Sequence, residues 1–439
     1  MNHKWYEDAL VYHIFALSAV GAPFLNDCGG TEHRLGILEK WIPHVSGMGF
    51  NTVLLSPVCK SRSHGYDVTD YFEIDKRLGT NDEFRSLVER FHASGIRVIL
   101  DSVFNHSGRD FFAFRELQGG NRDYADWFSG VDFSRESPLG DPFCYECWNG
   151  YYELPKLNLK NPATRKYLLD AARFWIENFD IDGMRLDAAN VLDFSFMADL
   201  RRQTGEWKKD FWLMGEVVAG DYSKWVNDAA LHSVTNYILY KSLFSSHNDN
   251  NLYELSYTVQ NSILSNGLPL YNFLDNHDQN RVASVVINPA FLSTLYTLLF
   301  TLPGIPSVYY GSEWGIKGEK QSGSDQGLRP YIDIDKRQSY SVPLTALISK
   351  LAHLHLGEKA LKYGSYKQIS LGYKRLFVFE RSYEEESLFV AVNIQSSPDE
   401  ANLSAHGAKF QELLSGELIH SPRRIKIEPY SAKIFKRTS

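Results

Sequence analysis

The chain has 439 residues, 44% of them hydrophobic and 23% charged, enough for a large core and more than one bare barrel of about 250 residues needs. A net charge of −7 with no basic cluster argues against nucleic acid and anionic membrane surfaces as partners. No run approaches the ~20 apolar residues of a membrane span, and the polar first ten residues lack the apolar stretch of a signal peptide. With only four cysteines, the sequence predicts a cytoplasmic protein.

Short apolar runs alternate with amphipathic helical stretches, the mark of a βα-repeating fold. Strands are predicted over 9–15, 52–57, 97–103, 183–188, 211–217, 234–239, 270–275 and 306–310. That is the number that closes a (β/α)8 TIM barrel. Helices are predicted over 35–48, 82–94, 163–178, 194–203, 222–228, 252–264, 289–302 and 344–356. The second opens on a cap at Asn81, followed by Asp82 and Glu83 at the positive end of its dipole. The rhythm breaks over 107–162, an aromatic segment rich in Gly and Asp that reads as a subdomain inserted over the barrel mouth. After about Gly364 the pattern turns to period two, a C-terminal antiparallel β-sandwich. The predicted organisation is a catalytic barrel of 1–106 and 163–363, an insertion 107–162 and a sandwich 364–439.

Four segments place charged or imidazole side chains directly behind a predicted strand: D-S-V-F-N-H at 101–106, G-M-R-L-D at 183–187, L-M-G-E at 213–216 and F-L-D-N-H-D at 273–278. Residues just past the strands of a barrel converge on one face. Asp187, Glu216 and Asp278 are therefore expected in one pocket, with Arg185, His106 and His277 around them. A pair of carboxylates in such a pocket suits cleavage of a glycosidic bond. Arg185, two positions before Asp187 on a strand, shares its side and is expected to keep it ionised, as a nucleophile requires. Glu216 follows a mostly apolar run, and an apolar mouth should raise its pKa toward that of a general acid. Asp278 is left to hydrogen-bond sugar hydroxyls as the ring flattens. Tyr66, after strand two, is placed to stack on a sugar ring. The C-x-x-C at 144–147 has no second pair and no suitably placed His, so it reads as two loop thiols.

In this order the segments resemble the conserved regions of glycoside hydrolase family 13, the α-amylase family. Asp101 to His106 is similar to its first region, and 183–187 to its second, with Asp187 in the nucleophile position and Arg185 in that of the invariant arginine. Glu216 stands where the family has its acid/base. His277 and Asp278 match the fourth region's histidine and transition-state-stabilising aspartate. G-I-P-S-V-Y-Y-G at 304–311 is similar to the eighth-strand signature. L-P-K-L-N at 154–158 resembles the M-P-K-L-N of neopullulanases, cyclomaltodextrinases and maltogenic amylases. Trp148 looks like that branch too, and Asp325 and Arg329 match its sugar contacts after strand eight. Two features depart from the branch: barrel strand one begins by Ala9, where those enzymes carry an N-terminal β-domain, and Val191 stands where they have Glu.

The resemblance implies a retaining hydrolase of α-1,4-linked maltooligosaccharides or cyclomaltodextrins, working by double displacement. Substrate contacts would come from Tyr66, His106, Arg185, His277, Trp148, Asp325 and Arg329. Transglycosylation or isomerisation through the same glycosyl-enzyme stays open, as does, in another class, a non-catalytic binding barrel. Calcium is common in the family, but 107–162 shows no acidic calcium loop, so neither metal nor cofactor is expected. The expected partner is the oligosaccharide or cyclodextrin substrate, with oligomeric state open.

Overall fold

The computed structural model describes every residue except 1–2, 28, 264–266, 341–342, 404–408, 421–423 and 439. Among the described residues, eight short parallel strands form one sheet: β1 (Val11–Ile14), β2 (Thr52–Leu55), β3 (Arg97–Ser102), β4 (Gly183–Leu186), β5 (Trp212–Gly215), β6 (Ser233–Val234), β7 (Tyr271–Asn272) and β8 (Ile305–Tyr309). Their spatial order is β6-β5-β4-β3-β2-β1-β8-β7. A parallel bridge between Thr235 and Tyr271 brings the two ends together and closes the barrel. Strand side chains alternate in direction. Val11, Leu54, Ile99, Trp212, Met214 and Ile305 fill the barrel interior, while Tyr12, Val53, Leu55, Val98, Leu100 and Leu213 pack outward under the helices.

The first predicted helix is two, Leu35–Glu39 and Ile42–Gly47, with Pro43 in the first turn of the second, where its missing N–H costs nothing. The next, Asn81–Ala93, is capped one residue earlier than expected. Thr80 accepts from the Glu83 backbone N–H and Glu83 bonds back to Thr80, a full capping box. Asn81 instead accepts from the backbone of Ile74. The stretch 222–228 is only a short 3-10 turn, Tyr222–Lys224. The helix expected over 252–264 runs over Tyr253–Thr258 and continues as a π turn to Ile263; position 264 lies outside the described residues. The expected strand 234–239 ends at Val234, and a helix, Tyr237–Asn248, follows under the side-chain cap of Asn236.

The insertion after β3 carries a helix (Phe112–Gln118), a 3-10 turn (Arg122–Trp127) and a hairpin of Cys147–Trp148 with Tyr151–Pro155. Phe114, Phe128, Phe143 and Tyr145 form its own edge-to-face cluster. Backbone bonds from Ser107 to Pro155 and from Leu157 to Asn105 stitch it to the end of β3. Gly108 is needed here, because a Cβ would meet the Asp67 carbonyl oxygen at 2.5 Å.

The C-terminal sandwich packs a six-stranded antiparallel sheet against a two-stranded one, Asp399–Ala401 with Ile425–Ile427. Along Leu376–Tyr383 the faces alternate. Leu376 and Val378 join the sandwich core, whereas Phe377 and Phe379 join the large core that continues into the barrel helices.

Candidate active site

Arg185 sits at the end of β4 in register with Asp101 on β3, and its side chain is buried. Its Nη1 donates to both carboxylate oxygens of Asp101, at 2.7 and 2.9 Å, and to Asp187 Oδ1 at 3.0 Å. Its Nη2 lies 2.9 Å from Glu216 Oε2. One guanidinium thus holds three carboxylates delivered by β3, β4 and β5. Gly215 makes room for this: a Cβ there would meet Leu231 Cδ1 at 2.4 Å and the Ala189 methyl at 2.7 Å. Ala188 takes a left-handed backbone (φ 49°), and its N–H donates to Glu216 Oε2 at 3.1 Å.

A second cluster gathers across the mouth. His277 Nε2 lies 2.8 Å from Asp278 Oδ2, and Arg329 donates to Asp278 Oδ1 at 2.9 Å and to the His277 carbonyl at 3.0 Å. Asp325 lies 3.4 Å from Arg329 and 3.0 Å from Lys320. Tyr66 joins the two clusters. Its hydroxyl donates to Asp101 Oδ2 at 2.8 Å and touches His277 Nε2, and its ring stacks on His277 with centroids 5.3 Å apart. His106, behind β3, stacks against Trp148 of the insertion hairpin at 5.9 Å. Every residue singled out from the sequence therefore lies at this mouth or on its rim.

The electrostatics differ from expectation at two places. Burial pushes the Asp187 carboxyl well above the usual carboxylate range; Arg185 opposes this, but Glu216, Asp101 and Asp278 add to it. The arginine is shared among three anions, so its pull on Asp187 is divided rather than exclusive. Glu216 is not in an apolar setting either. It bonds Arg185, the Ala188 N–H and the Tyr237 hydroxyl, the last at 3.1 Å. Asp278 is the most open of the three, 30% exposed against 10% and 12%. What burial it has opposes its charge; His277, by charge and hydrogen bond, then Arg329 and Arg185, outweigh that and hold its carboxyl well below the usual range. Burial, reinforced by His64, lowers His106 to about 3, so it is neutral. His106 Nε2 and His277 Nδ1 are buried with no hydrogen-bond partner.

Sequence reasoning passed over Asp101 and Tyr237. Asp101 was visible as the first residue of its motif and as a strand neighbour for Arg185. Tyr237 gives no signal, because its segment reads equally well as a strand. Asn105 donates its side-chain amide to His106 Nδ1 at 3.2 Å. Among the described residues no three His, Cys, Asp or Glu side chains gather as a metal site.

A closed parallel barrel with carboxylates from successive strand ends gathered on one buried arginine defines a TIM-barrel glycoside hydrolase. Residues 32–339 match the family model for the α-amylase catalytic domain, and the chain belongs to the α-amylase family. It is 31% identical to a cyclomaltodextrinase of Thermoanaerobacter pseudethanolicus, over 99% of this chain and 78% of that one. It is 33% identical to an intracellular maltogenic amylase of Bacillus subtilis, over 68% of this chain and 51% of that one. Among solved structures, the cyclic α-maltosyl-(1→6)-maltose hydrolase of Arthrobacter globiformis superposes with a TM-score of 0.85 at 26% identity, covering 99% of this chain and all of that one.

Proposed function

We propose that this enzyme hydrolyses α-1,4 bonds of short maltooligosaccharides or cyclomaltodextrins with retention of configuration. The observation that carries the reading is the single guanidinium of Arg185 shared by Asp101, Asp187 and Glu216. Asp187 attacks C1 while Glu216 protonates the departing oxygen; a water then attacks C1 as Glu216 takes its proton, and the ester to Asp187 breaks. The charge of Glu216 is one of the causes that raise Asp187. Asp187 therefore gives up its proton most readily when Glu216 holds one, the state from which double displacement starts. Asp278, held ionised by His277 and Arg329, offers hydrogen-bond acceptance and negative charge to the oxocarbenium-like transition state. The unpartnered ring nitrogens of His106 and His277 are suited to sugar hydroxyls.

The same reading makes the reaction independent of metal and places it in the cytoplasm. Its supports are the donor set around Asn105, the free thiols of Cys59, Cys144 and Cys147, and the likeness to a maltogenic amylase described as intracellular. Among the described residues no helix is long and apolar enough to cross a membrane. The test is to incubate the enzyme with maltotriose, β-cyclodextrin and soluble starch, with and without EDTA, following the first-formed anomer by NMR. The expected result is α-anomer first, undiminished by EDTA, and a higher kcat/KM on β-cyclodextrin than on starch. β-Anomer first overturns retention, loss with EDTA overturns metal independence, and a tenfold preference for starch overturns the substrate choice.

A further inference from the structure

The C-terminal sandwich carries a cavity of about 700 Å³ whose lining shares no residue with the catalytic mouth. One wall is the end of the hairpin of Ser365–Gly372 with Leu376–Tyr383, and the other is the strand pair Asp399–Ala401 with Ile425–Ile427. Side chains alternate along that pair. Ala401, Ile425 and Ile427 join the sandwich core, while Glu400 and Lys426, opposite each other in register, point outward and line the cavity.

Tyr373 stands at the rim, 92% exposed. It and Lys374 are the central residues of the hairpin turn, closed by the Arg375 N–H to the Gly372 carbonyl at 2.9 Å. Both are left-handed, with φ of 44° and 62°. Such turns favour Asn-Gly, because a larger side chain crowds its own backbone there. The turn is held firmly all the same. Leu252 donates its N–H to the Lys374 carbonyl at 2.6 Å, and Arg375 donates to the Asn250 carbonyl at 3.2 Å. The Lys374 ammonium lies over the Tyr253 ring at 5.4 Å. These contacts tie the turn to the barrel and leave the Tyr373 ring in water, where it adds nothing to packing. Strain kept beneath an exposed aromatic ring points to a partner outside the fold.

Charge decides the class of that partner. Arg424 pairs with Glu400 at 3.2 Å and Lys426 with Glu428 at 2.9 Å. Asp399 accepts from the Gln395 amide at 2.9 Å and from the Glu400 N–H at 2.8 Å. A charged ligand would have to displace one of these partners, whereas a neutral one bonds beside them. A neutral polyol ring offers hydroxyls to the Glu400–Arg424 pair and a C–H face to Tyr373.

We infer that this cavity is a second, non-catalytic site for α-glucans, with Tyr373 as the ring on which a glucose unit stacks. The sugar class rests on the reading proposed above; the site rests on the sandwich alone. Filling it leaves the catalytic mouth open, so one chain holds two glucan molecules at once.

Calorimetric titration of Asp187→Asn, which cannot turn over, with β-cyclodextrin counts the sites, and two per chain are expected. Adding Tyr373→Asn removes the ring and suits the turn better. That double variant should bind one β-cyclodextrin and melt no lower than its parent, while Tyr373→Trp keeps both sites. With Asp187 intact, Tyr373→Asn should cleave maltotriose at the wild-type rate; a slower rate overturns the non-catalytic placing. Two sites persisting in Tyr373→Asn, a single site that this change leaves in place, or no binding at all overturns the inference. So does a lower melting temperature, since the ring would then serve the fold. A single site that Tyr373→Asn abolishes upholds the cavity and counts against the catalytic reading instead, because the mouth would then bind no glucan.

Discussion

Asp187 behind β4 and Asp278 behind β7 face the same mouth and meet opposite electrostatic treatment. Asp187 shares its one cation with two other carboxylates, and burial pushes its pKa up. Asp278 has His277 and Arg329 largely to itself, and its pKa goes down. Identical side chains in one pocket are thus sorted by how many anions compete for each cation. The stability consequences have opposite sign. A carboxylate raised in the folded state contributes stability below its unfolded pKa of about 3.9 and loses it as pH rises through the folded value. A carboxylate lowered in the folded state contributes above about 3.9 and loses it as pH falls through the folded value.

The largest effect that breaks the comparison comes from Asp187→Asn. Turnover should fall by roughly four powers of ten or more, since an amide cannot form the ester. At pH 7 the same protein should melt higher than wild type, because a disfavoured charge has gone. Asp278→Asn should melt lower at that pH, and its deficit should shrink as pH falls below about 4. Melting shifts of the same sign would mean the two sites are not electrically distinct. Arg185→Met leaves Asp101, Asp187 and Glu216 together without their cation. Loss of a buried partner of this kind costs about 3–5 kcal/mol, readable by urea denaturation, and a near-neutral result would show the carboxylates to be protonated already. Gly215→Ala forces a methyl against Leu231 and Ala189 at the base of Glu216 and should cost about 1–3 kcal/mol, with a fall in kcat larger than any change in KM. The smallest effect sharpens the picture on one side only. Tyr237→Phe removes the hydrogen bond to Glu216 and the one accepted from Asn276 and should lower kcat about tenfold; an altered pH profile together with that loss would separate its effect on the carboxyl from simple misplacement.

Most of the barrel was legible because a fully buried parallel strand is a short apolar run, and the charged residue ending it marks where the strand meets solvent. Asp187, Glu216 and Asp278 stand out for that reason. The segment after β6 misled because Tyr237, Ile238, Leu239 and Tyr240 suit a buried strand and a buried helix equally; Asn236, which accepts from the Leu239 backbone as a helix cap, was the discriminating residue. The full extent of charge sharing at Arg185 is harder to read from the sequence. Sequence neighbours showed one arginine beside one aspartate, whereas Asp101 and Glu216 arrive from positions 84 and 31 residues away in the chain. The direction of a pKa depends on that count of partners, which only the folded chain supplies.

The closure between β6 and β7 gives the molecule a seam. Each strand there is two residues long. The ring is completed by the Thr235–Tyr271 bridge, the Asn236 N–H to the Tyr271 carbonyl at 2.9 Å and the Asn236 side chain to Asn272 at 2.8 Å. One bank leads to Tyr237 and, through the Thr235 hydroxyl, to Val217 beside Glu216; the other leads through 273–276 to Asp278. Amide exchange with solvent should therefore begin along this line, at a free energy well below that of global unfolding. Each such opening would part the carboxyl that delivers the proton from the one that steadies the charge, so catalysis would lapse reversibly while the remaining strands still hold their hydrogen bonds.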